Sequence, residues 1–297
     1  MRISFSKSVT ESLLAKIRSG EMMSRNEKFN LIIQLSIPSI LAQVTTVLMF
    51  YIDAGMVGSL GAEPSAAIGL VEPATWLFFS LVSAVTMGFS VQVAHFIGAN
   101  DFAKARAVMR HGYIFGLCFA LFLLLITFLI GYRLPVWLGG GADIQHDATV
   151  YFLIFSLIIP FHLIEYMSAA MLKVSGDMRR PSFMAILMCV LDVIFNYFFI
   201  FPTRTVSLFG VEVTMPGLGE GVAGAALGSL LSFVCVALPL AYYAIFRSPI
   251  LAWKQDVERF VWRWQYIWNA MKIGAPMALQ YLLMNGAQLV STMIVAP

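Results

Sequence analysis

The chain has 297 residues, of which 60% are hydrophobic and 12% are charged, and its formal net charge is +3. A soluble domain averages about 45–50% apolar and about 25% charged residues, so this composition favours a protein whose solvent is lipid. The low charge and abundant Phe exclude a disordered chain. The sequence also lacks a stripe of Lys and Arg of the kind that indicates nucleic-acid binding. The three cysteines lie in separate apolar runs, which indicates neither a disulfide nor a metal framework. We therefore expect a polytopic membrane protein without a cofactor.

Seven apolar stretches are long enough to cross a bilayer, whose hydrocarbon core of about 30 Å requires about 20 helical residues. Residues 1–30, by contrast, are polar, so we expect a cytoplasmic segment and not a signal peptide. The sequence predicts an all-α fold with spans near 31–57, 70–97, 112–131, 148–172, 182–201, 222–246 and 270–296.

Positive charges indicate how these spans are oriented. All but two of the 19 Lys and Arg residues lie in the N-terminal segment or in and beside the connections that follow even-numbered spans. The two exceptions are Arg133 and Arg204. The positive-inside rule then places the N-terminus in the cytoplasm.

The seventh span resembles a second copy of the first. Aligning Pro38 with Pro276 also aligns Leu41 with Leu279. The identities are few, and two membrane helices can share a proline by chance. Six spans, however, return the chain to its starting side, so both helices enter the membrane in the same direction, as in the parallel repeats of two-lobed carriers. We therefore predict a six-helix lobe at 31–246, a cytoplasmic linker at 247–269, and the first helix of an incomplete second lobe at 270–297.

Acidic side chains lie inside the predicted spans, where an ionisable group costs about 2.5–3.5 kcal/mol and needs a partner or a function. These residues are Asp53, Glu165 and Asp192, with Glu72 near the outer rim of the second span. No Lys or Arg lies deep within a span to pair with them, since Lys272 stands at the cytoplasmic end of the seventh span. Such an acid is most cheaply kept neutral by holding a proton, or it binds Na⁺ together with neighbouring oxygens.

The helical rise places four polar side chains in the outer half of the membrane. Asp53 lies about 30 Å along its span, and Ser229 lies about 10 Å from the outer end of the sixth span. Asp192 and Asn196 are four residues apart and share one helix face. We predict that these four residues form one polar site, although Asn and Ser in membrane helices also act as interhelical hydrogen-bonding groups.

Two backbone features accompany this site. Pro38 removes one backbone hydrogen bond from the first span, so we predict a hinge there. The sixth span carries a face of small residues that allows close helix packing, namely Gly221, Gly224, Ala225, Gly228, Ser229 and Ser232.

His162 and Glu165 lie about one turn apart in the inner half of the fourth span. Such a pair can relay protons, bind a metal or serve an intramembrane enzyme. An enzyme also needs a nucleophile or further ligands, and the sequence places none nearby. We favour a helix-end carboxylate that reaches toward Lys173.

The motifs together resemble the multidrug and toxic compound extrusion (MATE) family of cation-coupled exporters. Each motif is loose, but their order along nearly the whole chain is specific. They are Pro38, Asp53 and Met56–Gly58 in the first span, the connections 97–106 and 172–181, the pair Asp192 and Asn196, and the start of the sixth span at 221–226.

The resemblance implies two six-helix lobes and antiport, in which drugs or metabolites leave in exchange for H⁺ or Na⁺. It assigns cation coupling to Asp53, with Asp192, Asn196, Ser229 and Tyr151 around it. It further implies a bacterial inner-membrane protein that binds small amphipathic substrates, neutral or cationic, and functions as a monomer at full length. It implies no enzymatic activity.

Two departures from the family pattern narrow this expectation. The acid and amide of the fifth span occur in the order Asp192 then Asn196, whereas some members have the reverse order. Met284 occupies the position of a glutamate through which other members couple, so we expect coupling in the first lobe. A lipid-linked oligosaccharide flippase shares the broad architecture, but it needs cationic groups in its cavity for a pyrophosphate, and no Lys or Arg lies deep within the spans.

Overall fold

The structure is a computed structural model that describes residues 21–208, 211–255 and 260–295, together with Ser12, Leu13, Ala15, Lys16 and Ser19. Most of the described residues are helical. The helices are α1 (Arg25–Gly58), α2 (Ala62–Gly98), α3 (Phe102–Gly131), α4 (Leu134–Trp137), α5 (Gln145–Ser156), α6 (Ile158–Val174), α7 (Arg179–Ile200), α8 (Gly221–Tyr242) and α9 (Trp264–Val295). A π-helical turn, Tyr243–Arg247, extends α8, and a 3₁₀ turn, Trp253–Gln255, lies in the linker before α9.

Six helical stretches of the described chain are long and apolar enough to cross a membrane. They are α1, α2, α3, α5 with α6, α7, and α8 with its π-helical turn, and they coincide with the first six predicted spans. The seventh predicted span is also a helix, the 32-residue α9, which begins at Trp264 and not at Ala270. It is not among the six apolar stretches, and Gln280, Asn285 and Gln288 fall within it.

Helix caps explain why helices begin outside the apolar runs. The Ser24 hydroxyl accepts the backbone N–H of Glu27 at 3.3 Å, and the Glu27 carboxylate accepts the Ser24 N–H at 2.9 Å. This capping box starts α1 at Arg25, ahead of the predicted Leu31. Asp101 caps α3 in a similar way, by accepting the backbone N–H of Lys104 at 3.1 Å.

Two features differ from the sequence expectation, namely a break within the fourth span and a hairpin between the fifth and sixth spans. The fourth span consists of α5 and α6, which meet at Leu157, three residues before Pro160. Proline lacks an N–H for the helical ladder, which accounts for a break there. Between α7 and α8, strands β1 (Pro202–Leu208) and β2 (Val211–Leu218) pair antiparallel and add a hairpin to the otherwise helical fold.

The core of the lobe surrounds α2, which packs against α3, α5, α6 and α9. Its fully buried large side chains include Phe89, Met109, Phe152, Leu163 and Met167. In contrast, α1 lies at the edge and packs chiefly against α7. Only Leu31, Gln34 and Met49 of α1 are buried, so this helix contributes little to the core.

α9 crosses α2 at close range because two glycines allow the backbones to meet. A Cβ on Gly88 would overlap the carbonyl of Ala270, and a Cβ on Gly274 would lie 2.7 Å from the carbonyl oxygen of Ala84. The Asn285 side-chain amide donates to the Ser80 hydroxyl at 3.0 Å. α9 is thus held against the six-helix lobe over most of its length.

Candidate functional site

The side-chain amide of Asn196 joins two carboxyl groups from different helices. Its Nδ2 donates to Asp53 Oδ1 of α1 at 3.1 Å and to Asp192 Oδ2 of α7 at 3.0 Å. Asp192 and Asn196 are buried, and Asp53 is half-buried. The structure therefore brings together Asp53, Asp192 and Asn196, three of the four residues predicted to form one polar site.

α8 supplies the next contact to this cluster. The Ser232 hydroxyl lies 3.1 Å from Asp192 Oδ1 and 2.7 Å from the Ser229 carbonyl oxygen, so its one proton is donated to either acceptor. Ser229 contacts this part of the cluster through its backbone carbonyl oxygen, and the role predicted for its side chain stays a prediction. Ser232 was assigned only to the small-residue face, although its position three residues after Ser229 places it near the same helix face.

Glycine allows α8 to approach Asn196 this closely. A Cβ on Gly228 would overlap Asn196 Oδ1 and lie 2.8 Å from the Asn196 backbone nitrogen. A Cβ on Gly224 would likewise collide with the backbone of Phe199. The small-residue face of α8 therefore packs against the polar face of α7 and fixes the orientation of the amide.

Because one amide nitrogen donates to both side chains, Asp53 Oδ1 and Asp192 Oδ2 lie at most about 6 Å apart, the sum of the two hydrogen-bond lengths. Two ionised carboxylates at such a separation repel, so the pair favours holding a proton or another cation. In the described part of the chain, the ion pairs involve other residues, and neither Asp53 nor Asp192 pairs with a Lys or Arg. Binding of a single small cation at this cluster stays a prediction.

Tyr151 and Glu72 lie at the periphery of this cluster. Tyr151 interacts electrostatically with Asp53, Asp192 and Glu72, and its ring stacks on Phe155 with centroids 5.2 Å apart. The exposed Glu72 carboxylate accepts the indole N–H of Trp76 at 3.1 Å. The structure therefore places Tyr151 near the predicted site, and its role there stays a prediction.

Pro38 is remote from the carboxyl cluster. It lies within the continuous helix α1, about 22 Å from Asp53 along the helix axis. The neighbouring Ser39 contacts the sulfur of Met178 at 4.0 Å, just before α7 begins. Its assignment as a hinge remains a prediction.

His162 and Glu165 lie in an aromatic region of the lobe. The His162 ring stacks on Phe79 with centroids 4.5 Å apart, and both of its nitrogens are buried without a hydrogen-bond partner. Glu165 lies eight residues before Lys173 on α6, and the ion pairs of the described residues do not join the two side chains, so a pairing between them stays a prediction. Within the described ranges, no three His, Cys, Asp or Glu side chains are grouped to hold a metal. The geometry is that of packed side chains.

Comparison with known proteins gives consistent results for sequence and fold. The family model described as MatE matches residues 38–198, which is more than half of the chain. A probable multidrug resistance protein NorM from Neisseria meningitidis is 25% identical over 274 residues, which cover 91% of this chain and 57% of that protein. The multidrug export protein MepA from Staphylococcus saprophyticus is 21% identical, with coverage of 92% and 57%.

Two solved structures share the fold. A MOP superfamily transporter from Pyrococcus furiosus superimposes with a TM-score of 0.75 at 23% identity, covering 87% of this chain and 54% of that one. An outward-facing multidrug resistance MATE family transporter gives a TM-score of 0.77 at 22% identity, with coverage of 95% and 56%. The chain thus spans about half the length of the relatives and structures that it matches.

Proposed function

The chain belongs to the MatE family, and on this premise we propose that it functions as a secondary antiporter that exports small amphipathic compounds in exchange for H⁺ or Na⁺. Members of this family are transporters and not enzymes, so an intramembrane enzyme built on His162 and Glu165 is set aside. In this proposal the protein lies in a bacterial inner membrane with its N-terminus in the cytoplasm, and its substrates are neutral or cationic.

One observation supports the proposal above all: the Asn196 amide donates hydrogen bonds to carboxyl groups on both α1 and α7. A proton bound to Asp53 turns an acceptor oxygen into a donor and removes the repulsion between Asp53 and Asp192. The polar contacts that hold α1 to α7 then have to rearrange. A bound cation shifts the balance between two conformations only by its different affinity for each, and this shared contact provides such a difference.

The proposed cycle follows from this arrangement. Asp53 takes up a cation from outside while the lobe is open to that side. The altered contacts with Asn196 and Asp192 allow α1 to move, with bending near Pro38, and the bound compound is expelled. Return of the cation to the cytoplasm restores the starting contacts.

Replacing Asp53 tests the coupling. In the full-length protein, Asp53→Asn keeps the side-chain shape but cannot lose or gain a proton at that position. We expect gradient-driven efflux of a fluorescent amphipathic probe to fall at least tenfold. The matched control is Glu63→Gln, because Glu63 is an exposed acid in the first turn of α2. Undiminished efflux by Asp53→Asn would contradict the mechanism.

The coupling ion is tested by varying two gradients separately. In vesicles that contain the full-length protein, efflux is measured with a proton gradient at equal Na⁺ and with a Na⁺ gradient at equal pH. We expect one of these gradients to drive transport and Asp53→Asn to abolish that response. Transport with neither gradient present would contradict antiport.

A further inference from the structure

The linker before α9 is docked on the end of α3 that the charge pattern assigns to the cytoplasm. The Arg106 guanidinium donates to the carbonyl of Ile250 at 3.1 Å, and that of Arg110 donates to the carbonyl of Trp253 at 2.9 Å. Both acceptors are backbone groups, so these bonds fix the course of the linker irrespective of its side chains.

His111 contacts Arg263, the residue immediately before α9. The His111 side chain is fully buried, with Nδ1 at 2.7 Å from the Ala107 carbonyl oxygen and Nε2 at 2.8 Å from the Arg263 backbone nitrogen. A carbonyl cannot donate, so Nδ1 carries the hydrogen. A backbone N–H cannot accept, so Nε2 presents a lone pair. The two contacts therefore require the neutral ring in a single tautomer.

The surroundings of His111 are aromatic and positively charged. The rings of Phe260, Trp262 and Tyr266 lie with centroids 4.9, 4.9 and 5.2 Å from the imidazole. From the linker, the charge of Arg263 acts on the imidazole, and from α9 the titratable neighbour is the Tyr266 phenol. On α3 itself the adjacent charged residue is Arg110. In the portion of the chain that the structure describes, no carboxylate is paired with the ring to stabilise a positive charge there.

We propose that His111 is a pH-sensitive latch that holds the segment 260–263 against α3 only while its ring is neutral. A proton on Nε2 replaces the acceptor with an N–H that faces the Arg263 N–H, and this hydrogen bond is lost. Because 260–263 leads directly into α9, its release loosens the attachment of α9 to the lobe. In the predicted orientation, the latch responds to the cytoplasmic side, where antiport would deliver protons. The inference rests on these contacts and not on transport.

Hydrogen exchange of the Arg263 amide tests the latch directly, since this N–H is the one that His111 accepts. The full-length protein is measured at pH 7.5 and pH 4.5, because burial of His111 beside the positively charged Arg263 disfavours the charged ring and a more acidic solution is needed to protonate it. Exchange rates are corrected for their intrinsic pH dependence. We expect protection of this amide to fall at least tenfold at the lower pH, and equal protection at both values would overturn the proposal.

Two variants assign the effect to this ring. His111→Gln offers an amide oxygen that does not titrate, so we expect protection that is independent of pH. His111→Phe offers no acceptor, so we expect weak protection at both pH values. The control His146→Gln changes an exposed histidine at the start of α5 and should leave the wild-type response unchanged. A pH response retained by His111→Gln would also overturn the proposal, because another group would then be responsible.

Discussion

At the scale of single residues, the position of the Asn196 amide depends on the missing side chain of Gly228. We expect Gly228→Ala to push α8 away from Asn196 and to destabilise the protein by about 1–3 kcal/mol, the usual cost of overpacking a close contact. Thermal unfolding measures the loss, and efflux should fall with it. Gly69→Ala is the matched control, because a Cβ at this helical glycine meets no atom within 4 Å. Equal effects of the two substitutions would contradict this interpretation.

Asp101 gives a pH-dependent prediction outside the membrane spans. The Lys104 ammonium, 2.7 Å from its carboxylate, together with the hydrogen bond from the Lys104 N–H, lowers the pKa of Asp101. A lowered folded-state pKa stabilises the protein above the unfolded value of about 3.9, and this stabilisation is lost as the pH falls through the folded value. We expect Asp101→Ala to lower the free energy of unfolding by about 1 kcal/mol at pH 7.

Denaturant unfolding at a series of pH values checks the effect of Asp101. The difference between wild type and Asp101→Ala should shrink below about pH 4, where the unfolded carboxylate takes up protons. Asp101→Asn keeps a capping oxygen without the charge, so it should retain part of the stability and remove the pH dependence. A constant difference between wild type and Asp101→Ala at all pH values would contradict the assigned role.

The residues of the carboxyl cluster were partly predictable from spacing alone. Asp192 and Asn196 share a face because they are four residues apart, and the helical rise placed Asp53 at a similar depth. Ser232 was not predicted as a contact of Asp192. Its direction depends on the rotation of α8 about its own axis, which the packing at Gly228 sets and sequence spacing does not reveal.

At the scale of the helix, Pro38 is predicted to let α1 bend. Pro38→Ala restores the missing backbone N–H, and a proline inside a helix costs about 3 kcal/mol, so the variant should unfold at a higher temperature and transport more slowly. Pro73→Ala makes the same change inside α2, which is buried in the core. We expect it to leave the transport rate closer to wild type. Normal transport by Pro38→Ala would contradict the hinge.

The helical elements themselves were predicted by apolar length, but their ends were not. The capping box of Ser24 and Glu27 lies before the first apolar run, so the observed helix is longer than the predicted span. The hairpin at 202–218 was missed because spans were identified by membrane-length apolar runs, which carry no information about short polar strands. The break at Leu157 lies within such a run and could have been inferred only from Pro160.

At the scale of the whole molecule, the attachment of α9 to the lobe depends on backbone contact at Gly88. We expect Gly88→Val to separate the helices, because its side chain would overlap the Ala270 carbonyl. The measurement is disulfide formation between cysteines introduced by Ser80→Cys in α2 and Asn285→Cys in α9. When the linker is then cleaved, a disulfide keeps the two fragments of the chain joined. Cross-linking should fall at least fivefold with Gly88→Val and remain unchanged with Gly69→Val. Equal cross-linking in both would contradict close packing at this crossing.

The sparse burial of α1 has a consequence for the energetics of switching. An element with few buried contacts opens at a lower free energy than the core around it. Asp53 therefore lies on a sparsely buried helix, and the shared amide of Asn196 is one of the contacts that hold this helix to α7. Reversing a two-state population from 1:99 to 99:1 takes about 5.5 kcal/mol of differential binding. In the proposed mechanism, the difference in affinity of a single cation for the two arrangements of α1 and α7 has to supply a bias of this kind.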